Sequence, residues 1–205
     1  EGLGVPVPRT ERISERSHVP FPCIVKPREG RGSHGVAVVH SEQELEAHVL
    51  ICHRPRDGFI LQELLVGQEY TVMIAADRTG QLRAIVPVKV GIKRGITLRA
   101  ETHCDEAVMA ACASIHTADP VPGCYNIQLI KSVNGDVKPF EINPRISTTT
   151  CLALAAGVNF VDIYLDGEKD HRMREGGLLP FRDGLGLKRT WHNAFVPPHA
   201  DEPRA

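Results

Sequence analysis

Residues 30–35 read Gly-Arg-Gly-Ser-His-Gly, and the segments on either side of this glycine loop restrict the fold more than any other feature. Before it lies Phe21-Pro22-Cys23-Ile24-Val25-Lys26, a short strand, and after it Val36-Ala37-Val38-Val39-His40, a second strand by its β-branched content. A dinucleotide-binding G-x-G-x-x-G must open a helix whose N-terminus meets the pyrophosphate. Here a strand follows, so that reading fails. A Walker loop must end in Gly-Lys-Ser/Thr, whereas this one ends in His34-Gly35. What remains is a strand–loop–strand hairpin. Its glycines would let backbone N–H groups approach phosphate oxygens, with Lys26 as a point charge on the preceding strand. The plainer alternative is an ordinary flexible hairpin.

The rest of the chain follows the same economy. Val5-Pro6-Val7-Pro8-Arg9-Thr10 is extended, because proline disfavours helix around it. Ser41 with Glu44 forms a capping box, and the helix it starts buries Leu45, Val49 and Cys52. Strands are expected at 59–62, 69–76, 82–90, 123–131 and 136–142. Asp77 to Gly80 turns between the second and third of these, and Asn134-Gly135 between the last two. Helices are expected at 105–116, burying Val108, Met109, Cys112 and Ile115, at 149–156, and at 160–166. A short strand near 185–192 and a loose tail complete the chain. Strands outnumber helices and are mostly linked as hairpins, which is an α+β layout.

Composition removes several functions. With 24 Lys and Arg scattered against 25 Asp and Glu, there is no basic footprint for nucleic acid. No run approaches the ~18 apolar residues of a membrane span, so no membrane partner is expected. Six cysteines without a CxxC pair, in a chain of 205 residues, read as reduced thiols of a cytoplasmic protein rather than a disulfide framework. Cys112 and His116 have the i, i+4 spacing of a metal pair, but no further ligand is in sequence reach. Cys151, at a helix start, reads as core rather than nucleophile.

The chemistry concentrates on the hairpin that ends in Glu141-Ile142-Asn143-Pro144-Arg145. Side chains alternate along a strand, so Glu141, Asn143 and Arg145 share a face, as do Asn126 and Gln128 on the preceding strand. A two-residue type I′ turn at Asn134-Gly135 would set Gln128 opposite Glu141 and Asn126 opposite Asn143. A carboxylate and side-chain amides supply the oxygen ligands that suit Mg²⁺, whose remaining ligands come from water and substrate phosphates. Arg145 at the end of the row would neutralise charge on a transferring phosphoryl group. The alternative is a solvated hairpin face.

Four segments in order resemble the ATP-grasp superfamily, nearest in motif to the carbamoyl phosphate synthase large chain and related carboxylate–amine ligases. They are Phe21 to Pro27 with the glycine loop, Leu61 to Tyr70, Asn126-Ile127-Gln128, and Glu141 to Arg145. The resemblance implies an ATP-grasp fold of two α+β subdomains with largely antiparallel sheets clamping the nucleotide. It divides the chain into a small subdomain at 1–70 and a large one at 71–205. ATP and Mg²⁺ (or Mn²⁺) are the implied cofactors. Lys26 would contact the phosphates beneath a loop containing Gly32 and Ser33. Gln62, with backbone groups of Glu63 and Leu65, would read the adenine, and Glu69 would hold the ribose. Lys93 or Arg94 would add a phosphate contact. Gln128, Glu141 and Asn143 would bind the metal, and Arg145 would meet the γ-phosphate or acyl-phosphate.

Two departures qualify this. Relatives usually carry a preceding domain of ~100 residues and a basic residue before the Gly-x-Pro-x-Pro segment, neither of which has a counterpart here. Position 128 is Gln where many relatives have an acid, which removes one metal charge. The expectation is therefore an ATP-dependent ligase domain, inactive or active as this piece alone. It would activate a carboxylate as an acyl-phosphate for an amine, with the parent's N-terminal domain as a partner and a homodimer left open. The alternatives are a nucleotide-binding module without chemistry, and a structural domain with a polar hairpin face.

Overall fold

The computed structural model describes residues 5–13, 18–30, 32–166 and 177–190. Part of the expected tail, and the last positions of the strand expected near 185–192, lie outside them.

The chain first builds a four-stranded antiparallel sheet from β1 (Thr10–Arg12), β2 (Cys23–Pro27), β3 (Ala37–Val39) and, after a helix, β4 (Phe59–Glu63), in the order β1-β4-β2-β3. The helix is α1 (Glu42–Ile51), and its Ser41 hydroxyl accepts from the Glu44 N–H. Glu44 in turn accepts from the His40 N–H at 2.8 Å, one residue earlier than a standard capping box would have it. Leu45 and Val49 pack with Val25, Phe59 and Leu61 in a core on one face of this sheet. The other face carries Ile24, Lys26, Ile60 and Gln62, which the register Ile24↔Gln62 and Lys26↔Ile60 sets in two rows.

The chain leaves this sheet at Glu63 and enters the second at Gln68, so Glu69 and Tyr70 already belong to the larger sheet. Six strands follow: β5 (Gln68–Ala76), β6 (Leu82–Arg94), β7 (Ile96–Thr102), β8 (Gly123–Lys131), β9 (Val137–Asn143) and β10 (Gly186–Lys188), in the order β10-β7-β6-β5-β8-β9. Between β7 and β8 runs α2 (Glu106–Ala118), capped by Asp105. After β9 come α3 (Thr150–Ala155) and α4 (Phe160–Asp166). Helices cover both faces. Tyr70, Val72 and Ile74 meet Val108, Cys112 and Ile115 of α2, while Met73 and Ala75 meet Leu152, Phe160 and Ile163. This explains why β5 is buried from Tyr70 through Ala76 and reads as an apolar run interrupted by Thr71 alone.

The expected strands and helices are present, and the structure adds two strands. β1 pairs with β4 at the end of the proline-containing segment that was expected only to be extended. β7 pairs with β6 across a turn at Gly95 (φ 70°), so Lys93-Arg94-Gly95 is a hairpin tip and not a loop. Met109 is only partly buried, at the edge of its core. Two expectations are corrected. Cys151 is exposed, its thiol donating to the Thr148 carbonyl at 3.2 Å, because the apolar stripe of α3 runs through Leu152 and Ala153 instead. The turn joining β8 to β9 is also not a two-residue I′ turn. Gly135 (φ 91°) donates to the Ser132 carbonyl and Ser132 to that of Asp136, which closes a three-residue loop.

That longer loop shifts the pairing by one, to Leu129↔Pro139 and Lys131↔Val137. A bulge between Gln128 and Leu129 then shifts it back, so Gln128↔Glu141 and Asn126↔Asn143 pair as expected. The expected register is present, and two offsetting irregularities produce it. Among the described residues, no helix is long and apolar enough to cross a membrane.

Candidate functional site

One face of the large sheet does two jobs. Its Met73–Ala75 end is covered by α3 and α4, and the opposite end, with Glu69, Thr71, Gln128, Glu141 and Asn143, turns towards the small sheet. A cleft of about 920 Å³ opens at the edge of this region, between residues 7–11 and 139–142, with Gln62 and Glu63 in its wall and Glu141 as its one member of the polar row. That volume lies within the usual range for a small-molecule pocket.

Contacts tie the two sheets together at this cleft. Lys138 donates to both carboxylate oxygens of Glu63 at 2.9 and 3.1 Å. With the Arg9 N–H, this bond holds the Glu63 carboxyl below the usual range. The Glu63 backbone N–H is spent on the Arg9 carbonyl. Burial lowers the Lys26 pKa, and the Glu141 carboxylate partly opposes that shift. Lys26 and Glu141 therefore act on one another although they lie on different sheets.

Both ends of the buried Gln62 amide are engaged. Its oxygen accepts from Lys26 Nζ at 3.0 Å and its nitrogen donates to Thr10 Oγ1 at 2.8 Å. Lys93, beyond two irregularities in the β6–β7 ladder, reaches back across the sheet. Its ammonium lies 2.5 Å from Glu69 Oε1 and 2.9 Å from Gln128 Oε1. Asn126, only 1% exposed, braces the end of the row. Its oxygen accepts from Asn143 Nδ2 at 3.4 Å, and its nitrogen donates to the Arg145 carbonyl at 3.2 Å. This uses the amide nitrogen of Asn143 and leaves its oxygen available on the face it shares with the exposed Glu141.

The structure thus sets Glu69, Lys93, Gln128, Glu141 and Asn143 together on one face of the large sheet and Lys26 beside Gln62 on the small one, and links the two groups through Lys26 with Glu141 and Lys138 with Glu63. The Arg145 guanidinium donates to the Ile146 carbonyl instead, at 3.3 Å. Leu65 lies half-buried in the link between the sheets. Gly32 and Ser33 are exposed at the tip of the glycine loop, both with positive φ (64° and 60°). Gly35 has no room for a side chain, since a Cβ would sit 2.9 Å from Pro27 Cγ. Gln128, Glu141 and Asn143 offer the hard oxygen atoms that suit Mg²⁺. Only one of the three is a carboxylate, however, and among the described residues no group of three His, Cys, Asp or Glu could hold a metal. As arranged, a cation here needs anionic oxygens from a ligand.

His116 is not a metal ligand in waiting. Its two ring nitrogens lie 2.8 Å from the Tyr125 hydroxyl and 2.8 Å from the Gly80 carbonyl. Thr10 and Lys138 carried no sequence signal as site residues, because their partners lie 52 and 75 residues away. Asn126 was visible on the polar face, but its bracing role was not.

Comparison with known proteins agrees with this architecture. The carbamoyl phosphate synthase large chain of Buchnera aphidicola subsp. Acyrthosiphon pisum (strain APS) is 27% identical over 158 residues, which is 68% of this chain and 14% of that protein. The chain therefore spans a small part of the length of such relatives. L-amino acid ligase from Bacillus licheniformis superposes with a TM-score of 0.67 at 18% identity, covering 87% of this chain and 48% of the ligase. Biotin carboxylase from Campylobacter jejuni, in a β,γ-ATP complex, gives 0.64 at 19% identity over 90% and 46% of the two chains. These likenesses establish the fold. The family model described as "ATP-grasp in the biosynthetic pathway with Ter operon" matches residues 56–185. With more than half of its length matched, the chain belongs to the ATP-grasp family.

Proposed function

We propose that this protein binds ATP with Mg²⁺ in the cleft between its two sheets, as the ATP-grasp domain of a ligase. The ligase activates a carboxylate as an acyl-phosphate, which an amine or similar nucleophile then attacks. The observations that carry this reading are the row of Glu69, Gln128, Glu141 and Asn143 on one face of the large sheet, with Lys93 bonded to its first two members, and the electrostatic coupling of Lys26 on the small sheet to Glu141.

In this reading Lys26 and Lys93 bind phosphate oxygens, and Glu69 accepts from the ribose hydroxyls. Gln128, Glu141 and Asn143 hold the metal, with Asn126 keeping the Asn143 oxygen available. The metal, when bound, neutralises charge on the phosphate oxygens. No covalent nucleophile is required, because phosphoryl transfer is catalysed mostly by positioning and charge stabilisation. Arg145 must swing from the Ile146 carbonyl to reach a transferring phosphoryl group.

A thermal shift with Mg·ADP on wild type and Glu141→Ala tests the reading. At about 100 times Kd the ligand adds about 2.7 kcal/mol, or about 5–10 °C for a chain of this size. The expected result is a metal-dependent shift in wild type that the variant loses. Equal shifts in both would remove Glu141 from the site. The single carboxylate in the donor set favours a second reading, in which nucleotide is held without chemistry. ADP binding without any ATP turnover by the longest soluble form of the protein would select it.

A further inference from the structure

The Lys93 ammonium sits on the oxygen that a metal would use. Gln128 has one side-chain oxygen, and Lys93 Nζ lies 2.9 Å from it while also holding Glu69 Oε1 at 2.5 Å. A Mg²⁺ ion coordinated by that oxygen would sit about 2.1 Å from it. It would therefore lie at most about 5 Å from the ammonium, and the two cations would repel. Neither Gln128 nor Asn143 carries charge to offset this, Glu69 is paired with Lys93 itself, and the one other carboxylate of the set, Glu141, also faces the charge of Lys26. Lys93 can move, because residues 91–95 at this hairpin tip are all exposed.

We propose that Lys93 is an internal counter-cation that keeps free divalent metal off Gln128, so that metal enters only together with the nucleotide. The inference rests on the nucleotide reading above and adds an order of loading to it. Ribose hydroxyls compete for Glu69 and loosen the Lys93 ion pair. Phosphate oxygens then give the ammonium a new partner, and their negative charge lets metal and lysine share the site. The domain is thereby specific for the metal–nucleotide complex and indifferent to the free cation.

The test uses Mn²⁺ as the probe, with bound and free ion distinguished by electron paramagnetic resonance, and circular dichroism to confirm folding. The proteins are wild type, Lys93→Met, Lys93→Arg and the double variant Lys93→Met/Gln128→Ala. Without nucleotide, Lys93→Met should bind Mn²⁺ at least tenfold more tightly than wild type. Lys93→Arg, which keeps the charge, should not, and Gln128→Ala should abolish the gain. With ADP present, wild type should bind Mn²⁺ much more tightly than without it. If Lys93→Met shows no gain, or a gain that survives Gln128→Ala, the inference is overturned while Mn·ADP binding still supports the nucleotide site. Failure of wild type and all variants to bind Mn·ADP would overturn the nucleotide reading, and this inference with it.

Discussion

Replacing Asn126 with Ala should weaken metal–nucleotide binding without touching any group that contacts the ligand. Its amide makes two hydrogen bonds, at 3.4 Å from Asn143 and at 3.2 Å to the Arg145 carbonyl. Both are at or beyond the long end of the normal range, so each is worth about 1 kcal/mol or less. Asn143 is half-buried and Arg145 exposed, so water can reach the groups left behind. The fold should accordingly lose only about 1–2 kcal/mol. The larger consequence is that Asn143 is no longer held with its oxygen available, and binding must then supply that order. A penalty of about 1–2 kcal/mol is a factor of about 5–30 in Kd. At a Mg·ADP concentration 100 times the wild-type Kd, ligand stabilisation would fall from about 2.7 to about 1–2 kcal/mol. The ligand-induced rise in Tm should therefore shrink to roughly one to two thirds of the wild-type value. Differential scanning fluorimetry with and without Mg·ADP reads both numbers. A full wild-type shift in Asn126→Ala would refute the bracing argument, and so would loss of the shift together with collapse of the apo Tm.

Three further outcomes concern the scaffold. Gly67 (φ 157°) joins the two sheets so closely that a Cβ would run into the backbone of Lys131, so Gly67→Ala should cost about 1–3 kcal/mol in urea unfolding; an unchanged midpoint would show that the link is slack. His116→Phe leaves the buried Tyr125 hydroxyl and the Gly80 carbonyl without partners, and should destabilise by about 2–4 kcal/mol. Burial alone would raise the pKa of Asp77, but hydrogen bonds from Thr79, Arg83 and Gln81 hold it below the usual value. A carboxyl depressed by folding contributes stability that is present above its unfolded pKa and lost as pH falls through the folded one. Asp77→Asn should therefore be much less stable than wild type at pH 7, with the gap narrowing between about pH 5 and 2; a gap independent of pH would sink that assignment.

The local half of this protein was legible because strands and helices impose short periods. Alternation put Glu141 with Asn143 and Asn126 with Gln128, and the Ser41–Glu44 pair marked the start of α1. The same local logic mistook the β8–β9 turn, since Asn134-Gly135 suits a two-residue I′ turn but here fills the end of a three-residue loop. The bulge beside Gln128 restored the pairing, and nothing in the composition of 137–141 requires a bulge there. β1 was missed because it is a strand only by virtue of its partner, Phe59–Glu63, half a domain away.

The sequence alone determined the order of all the elements but β1 and β7, the α+β class, the faces on which the polar side chains lie and the family they resemble. Each of these depends on neighbours within a few residues. Only the tertiary structure decided that the Lys26 face meets Glu141, that Lys138 clasps Glu63, and that Lys93 reaches over the sheet to Glu69 and Gln128. The Lys93 and Lys138 bonds join residues separated by 24 to 75 positions, and an ammonium finds its carboxylate across such a span only after packing has brought the two strands together.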